Sequence, residues 1–114
     1  MRFLIIAIVT LAACSAATQN YSGDLRPIAG TCDPPSEALL TLRNTTIIFA
    51  PASGTTLLRG KIDGQVASAD LKLIDPGKQP YHLSFQGVLN GRIITGTYVT
   101  PRCRYAATLR LTDD

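Results

Sequence analysis

The stretch YHLSFQGVLNGRIITGTYVT, residues Tyr81–Thr100, decides the fold because it holds two alternating segments around a turn signal. Along Tyr81–Leu89, apolar or small residues alternate with polar ones, which is the period of a strand with one buried face. Asn90-Gly91 follows, and both residues tolerate the positive φ that a tight hairpin needs. Arg92–Thr100 supplies the second strand. The sequence therefore predicts an antiparallel β-hairpin here.

The same alternation extends to both sides, and turn signals recur at regular intervals. The predicted strands are Leu25–Gly30, Glu37–Leu42, Thr45–Ala50, Thr55–Ile62, Val66–Ile74, Tyr81–Leu89, Arg92–Thr100 and Arg102–Thr112. Ser36-Glu37 could also cap a helix, but the β-branched residues that follow favour a strand. The sequence thus predicts an all-β fold, a small antiparallel meander barrel or sandwich of about seven to eight strands.

The predicted strands also assign their side chains to an inner and an outer face. In the last strand, Cys103, Tyr105, Ala107, Leu109 and Leu111 share the inner face, opposite Arg102, Arg104, Thr108 and Arg110. Because the inner residues are mostly small and aliphatic, we expect side chains to fill the interior rather than leave room for a ligand. The charged outer positions differ from the apolar outer band of a transmembrane barrel.

The amino-terminal segment has the order of a secretory signal. Arg2 precedes the apolar run Phe3–Leu11, and Leu11-Ala12-Ala13-Cys14 closes it. This closing motif resembles the lipobox of bacterial lipoproteins, in which signal peptidase II cuts before a cysteine that carries a lipid. The resemblance implies a signal peptide at residues 1–13 and lipidation of Cys14. Residues 14–24 are then expected to form a flexible tether, and residues 25–114 a single β domain.

The cleavage site has an alternative. Ser15-Ala16-Ala17 also suits the ordinary signal peptidase, and a cut after Ala16 or Ala17 would release a soluble periplasmic protein without Cys14. In the lipoprotein interpretation, Ser15 directly after Cys14 is compatible with sorting to the outer membrane. The expected location is therefore the cell envelope, lipid-anchored, on the outer membrane facing the periplasm.

The chain has three cysteines, an odd number that needs explaining in an exported protein. Assigning Cys14 to the lipid leaves Cys32 and Cys103, which an oxidising compartment would join as one disulfide. Two free buried thiols are the alternative. With His82 as the single histidine and no close ligand spacing, we expect no metal site.

No catalytic constellation is found, so we expect no enzyme and no cofactor. His82 falls on the outer face between polar neighbours. The candidate partner-binding residues are four arginines on the last hairpin: Arg92, Arg102, Arg104 and Arg110. Such a basic β surface suits an acidic protein or an anionic envelope polymer, although outward arginines also protect strand edges. The net charge of +3 is too mild to indicate nucleic acid, and we expect a monomer.

Two functions remain open from the sequence. The first is a non-enzymatic binding module that docks a partner in or outside the envelope. Its general layout is similar to that of small periplasmic β-barrel inhibitor lipoproteins, although none of their recognition motifs is present. The second is a structural envelope lipoprotein without a discrete ligand.

Overall fold

The computed structural model describes residues 17–32, 34, 37–52 and 56–112. These residues form eight β-strands. The strands are β1 (Thr18–Gly30), β2 (Glu37–Arg43), β3 (Thr46–Ala50), β4 (Leu58–Asp63), β5 (Val66–Ile74), β6 (Pro80–Asn90), β7 (Ile93–Val99) and β8 (Cys103–Leu111). The predicted signal peptide and Cys14 lie outside the described residues.

Each strand pairs antiparallel with the next, and β1 pairs with β8 to close a barrel. The all-β prediction is confirmed, and of its two forms the barrel is the observed one. Paired positions can be followed around the barrel from Thr18 through Arg43, Thr46, Lys61, Ser68, Gln86, Thr97 and Ala106 to Arg26. The path returns to β1 eight residues further along, so the strands are inclined to the barrel axis.

The first strand differs most from the prediction. Residues Thr18–Asp24 were expected in a flexible tether, but they belong to β1 and pair with β2 as well as β8. Asn20 shows how this polar segment is held, because its backbone oxygen accepts hydrogen bonds from the backbone N–H and the hydroxyl of Thr112. Tyr21 and Leu25 point inward and are buried. The β domain therefore begins at Thr18 rather than at Leu25.

The remaining strands begin and end within three residues of their predicted bounds. Glu37–Arg43 is a strand, so the helix alternative at Ser36-Glu37 is wrong. The hairpin at Asn90-Gly91 is confirmed, with its loop one residue later than expected, because Asn90 pairs with Ile93. Gly91 supplies the positive φ of this turn, at +67°.

The alternation predicted for β6 and the inner face predicted for β8 are confirmed, and β5 alternates in the same way. A row of small residues crosses the sheet along the inner face: Ala67, Gly87, Gly96 and Ala107 are successive register partners. The row leaves room for aromatic rings inside the barrel. A Cβ atom on Gly87 would lie 3.0 Å from the Phe85 ring. Small side chains in the wall therefore let larger ones fill the centre.

The two ends of the barrel differ. One end, called the hairpin end, carries the start of β1 and three two-residue turns, Asn44-Thr45, Gly64-Gln65 and Gly91-Arg92. The other, called the loop end, carries the connections at 31–36, 51–57, 75–79 and 100–102. Binding residues are often found on longer connections, so the loop end is the place to look for a functional site.

A disulfide joins Cys32 to Cys103, as predicted, with 5.0 Å between the Cα atoms. Cys103 is the first residue of β8 and is buried on the inner face, while Cys32 is half-buried just beyond β1. Gly30 and Cys103 are register partners. The bridge therefore fastens the strand pair that closes the barrel, at its loop end.

Candidate functional site

A cavity of about 900 Å³ opens at the loop end of the barrel. Its inner wall includes three leucines and three tyrosines: Leu25, Leu73, Leu83, Tyr81, Tyr98 and Tyr105. The volume is within the range of small-molecule sites, roughly 300–1,000 Å³. The expectation that side chains fill the whole interior is therefore wrong at this end.

The reason is the distribution of bulk along the barrel axis. The rings of Phe49 and Phe85 stack with centroids 4.3 Å apart and close the centre. Beyond them, toward the loop end, Leu73 and Tyr81 are only half-buried. Average side-chain size, on which the expectation rested, carries no information about position along the axis.

Tyr98 forms the link between the closed centre and the cavity. Its ring lies 5.4 Å from that of Phe49 and 5.7 Å from that of Tyr105, measured between centroids. The side chain is 6 % exposed and lines the cavity. Burial raises the pKa of the Tyr98 hydroxyl to about 12, with smaller contributions from Tyr105 and Tyr81. The phenol is therefore neutral at physiological pH and is able to donate a hydrogen bond.

No hydrogen-bond partner for the Tyr98 hydroxyl is found among the described residues. A molecule that shields this hydroxyl from water without pairing it would lose about 1–3 kcal/mol. The hydroxyl is therefore a group that a molecule entering the cavity would satisfy.

Other polar groups of the cavity wall are occupied by their own turns. The Thr100 hydroxyl accepts from the backbone N–H of Cys103 at 2.9 Å and from that of Arg102 at 3.3 Å. Asp75 accepts from the backbone N–H of Gln79 at 2.8 Å through its carboxylate, so its side chain stabilises the turn between β5 and β6. These groups shape the rim of the cavity, while Tyr98 offers a donor inside it.

The four predicted arginines are all exposed, but they do not form one patch. Arg102 and Arg104 lie at the loop end, and Arg102 also lines the cavity. Arg110 pairs with Ile93 near the hairpin end, beside Arg92 in the last turn. Arg104 and Arg110 are six positions apart on β8, which corresponds to about 20 Å along an extended strand. The candidate surface therefore divides into two pairs.

The pair at the loop end has a neighbour that the sequence analysis missed. Arg26 on β1 is exposed and is the register partner of Ala106, two positions from Arg104 on β8. Both side chains occupy outer positions on adjacent strands. The first and last strands meet only when the barrel closes, so no local pattern indicates this proximity. The loop end is thus more basic than the last hairpin alone suggests.

Exposed apolar side chains also lie at the loop end. Ile74, the last residue of β5, is 72 % exposed, and Ile28 in β1 is half exposed. Single exposed apolar residues are normal, but these two lie at the end where the cavity opens. They give the rim an apolar component beside its arginines.

The structure shows little further chemistry in its described part. His82 is exposed, as predicted, and is the register partner of Lys72. Residues 17–32, 34, 37–52 and 56–112 contain no group of three or more His, Cys, Asp and Glu side chains able to hold a metal ion. Within these same ranges, no helix is long and apolar enough to cross a membrane.

Comparison with known proteins gives no relative. The chain matches no protein-family model, no curated protein and no solved structure.

Proposed function

We propose that this protein is an exported, lipid-anchored protein of the cell envelope, held through Cys14 and acting as a non-enzymatic binding module. Its partner is an acidic protein or an anionic envelope polymer. The proposed location is the outer membrane, facing the periplasm. The observation that carries the proposal is the polarity of the barrel, with the start of β1 at the hairpin end and the cavity and longer connections at the loop end.

The cysteines support the anchor. Since Cys32 and Cys103 are joined to each other, Cys14 is the one cysteine left of the three in the chain. It directly follows Leu11-Ala12-Ala13, the segment that resembles a lipobox. A lipid on Cys14 accounts for the odd cysteine without an exposed reactive thiol.

The position of β1 limits how far the barrel stands from its anchor. Ser15, Ala16 and Ala17 are the residues between Cys14 and Thr18, a connection of about 14 Å when fully extended. The hairpin end would then face the lipid surface at short range. The loop end, on the far side of the barrel, would face away and remain open to a partner.

The basic residues of the loop end indicate the charge of that partner. Arg26, Arg102 and Arg104 are exposed there, and an arrangement of this sign favours encounter with acidic groups. Arg92 and Arg110, at the hairpin end, would lie on the membrane side and contribute nothing to the same contact. The proposal thus assigns different roles to the two arginine pairs.

Site-specific photo-crosslinking in cells tests this arrangement. A benzophenone amino acid at Ala52, exposed beside the cavity, should give a discrete adduct, whereas the same group at Gln65 in the hairpin end should not. Replacing Arg102 and Arg104 together by Ser should lower the Ala52 adduct at least severalfold. The matched double variant Arg92→Ser/Arg110→Ser should leave it unchanged.

Equal adducts at Ala52 and Gln65 would contradict a partner at the loop end. An adduct insensitive to both arginine pairs would exclude an acidic partner held by them. If no adduct forms but deletion of the protein weakens the envelope, the structural alternative would replace the binding module.

A further inference from the structure

We propose that the cavity at the loop end is a binding site for a small apolar molecule that carries a ring and a hydrogen-bond-accepting oxygen, with Tyr98 donating to that oxygen. This inference rests on the binding function proposed above and names the chemistry that enters the barrel. It concerns a small molecule, whereas the arginines at the rim concern a larger acidic partner.

The walls define the apolar part of the ligand. The rings of Tyr98 and Tyr105 are stacked, with planes inclined by 21°, and both line the cavity. Leu25, Leu73 and Leu83 supply aliphatic surface beside them. Flat rings pack favourably on such aromatic walls, with centroids about 4.5–7 Å apart. A cavity of about 900 Å³ accommodates a molecule of one to a few rings.

The Tyr98 hydroxyl defines the polar part. The Tyr98 side chain is 6 % exposed and lines the cavity, and no partner is found for its hydroxyl among the described residues. Because the pKa of the Tyr98 hydroxyl is raised, the group stays protonated. It can therefore donate a hydrogen bond, which a phenolate could not do. A ligand oxygen would satisfy this donor and avoid the cost of leaving it unpaired.

The charged groups around the mouth do not oppose such a ligand. Arg102 and Asp75 both contribute to the wall, and they have opposite signs. The Asp75 carboxylate is occupied by the backbone of Gln79. A carbonyl or carboxylate oxygen is therefore compatible with the site.

The test uses the mature protein in lipid nanodiscs and 6-fluoro-2-naphthoate as the probe, which has two fused rings and a carboxylate. Binding is followed by ¹⁹F NMR, with empty nanodiscs of the same lipid as the blank. We expect saturable binding to the wild-type protein at one site. Tyr98→Phe, which keeps the ring and removes the donor, should weaken binding about tenfold, the effect of one good hydrogen bond.

A matched pair of variants on β5 tests the location. Leu73→Trp places an indole in the cavity and should abolish binding. Lys72→Trp, one position along and exposed on the outer face, should change affinity less than twofold. Thermal unfolding followed by circular dichroism checks that both variants are folded. If Leu73→Trp does not fold, Tyr98→Phe alone decides the matter.

Two results would overturn the proposal. The first is the absence of saturable binding to the wild-type protein, and the second is equal binding by the wild-type protein and Tyr98→Phe. Neither result depends on the anchor, because a protein recovered without lipid is titrated in buffer in the same way. Failure of the crosslinking at Ala52 would likewise leave this titration unaffected, so the two proposals fail separately.

Discussion

Tyr98 on β7 and Tyr105 on β8 are register partners whose rings stack inside the barrel with centroids 5.7 Å apart. The pair stands where the packed centre ends and the cavity begins. Phe49, 5.4 Å from Tyr98, belongs to the packed side, and both tyrosines line the open side. One pair of residues therefore contributes both to the core and to the candidate site.

The Tyr98 hydroxyl should make stability depend on pH in the alkaline range. Its pKa in the folded protein is about 12, above the ordinary value of 10.0, because burial disfavours the anion. Below pH 10 the hydroxyl keeps its proton in both the folded and the unfolded chain, so its contribution to the free energy of unfolding is fully present there. As pH rises from 10 through 12, the unfolded chain loses its proton first and stability falls.

Urea unfolding at pH 9, 10 and 11 measures this effect. The free energy of unfolding should fall more steeply for the wild-type protein than for Tyr98→Phe, by about 1 kcal/mol at pH 11. Parallel curves for the two proteins would show that the hydroxyl ionises as it does in water.

At neutral pH the same substitution should not destabilise the ligand-free protein. Tyr98→Phe removes a buried hydroxyl for which no partner is found in the described part of the chain, while keeping the ring contacts with Phe49 and Tyr105. We expect the free energy of unfolding to stay equal or to rise by up to about 1 kcal/mol. A loss of more than about 1 kcal/mol would mean that the hydroxyl makes a stabilising hydrogen bond.

The disulfide should contribute strongly to stability. Cys32 and Cys103 are 71 residues apart in sequence, and closing a loop of this length lowers the entropy of the unfolded chain. Reduction should lower the free energy of unfolding by about 4 kcal/mol. Urea midpoints of the wild-type protein with and without reductant measure this, and Cys32→Ala/Cys103→Ala should resemble the reduced protein. An unchanged midpoint after verified reduction would contradict the predicted role.

Gly96 should tolerate no side chain. A Cβ atom there would overlap the backbone oxygen of Gln86 and would lie 2.7 Å from the Cα atom of Gly87. Both atoms belong to the neighbouring strand, so Gly96→Ala should cost about 3 kcal/mol or more, or prevent folding. Gly77→Ala is the control, because its nearest contact would be the Asp75 carboxylate at 3.4 Å. Thermal unfolding of both variants tests this prediction. Equal melting temperatures would contradict the predicted steric clash at Gly96.

The strands were predictable because their signal is local. Along Val66–Ile74 and Cys103–Leu111 each side chain's face follows from its position in the alternation, and the structure agrees. The start of β1 was not predictable, because Thr18–Asp24 is polar and gains its order from pairing with β2 and β8. The choice between barrel and sandwich depended on the same non-local pairing.

The candidate site was predictable only in part. The exposure of Arg102 and Arg104 followed from their parity, but Arg26 joins them through the contact between β1 and β8. The cavity depends on where Phe49 and Phe85 lie along the barrel axis. The sequence of a single strand does not determine that position. That the Tyr98 hydroxyl has no hydrogen-bond partner among the described residues is a three-dimensional property, since the alternation indicates only that the side chain points inward.

The anchor at Cys14 is the claim on which the orientation of the barrel depends. Intact mass spectrometry of the membrane-extracted protein, under non-reducing conditions, tests it most directly. We expect a chain that starts at Cys14, carries a mass increment of lipid size, and lacks the two hydrogens of the Cys32–Cys103 bridge. An unmodified chain that starts at Ala17 or Thr18 would contradict it.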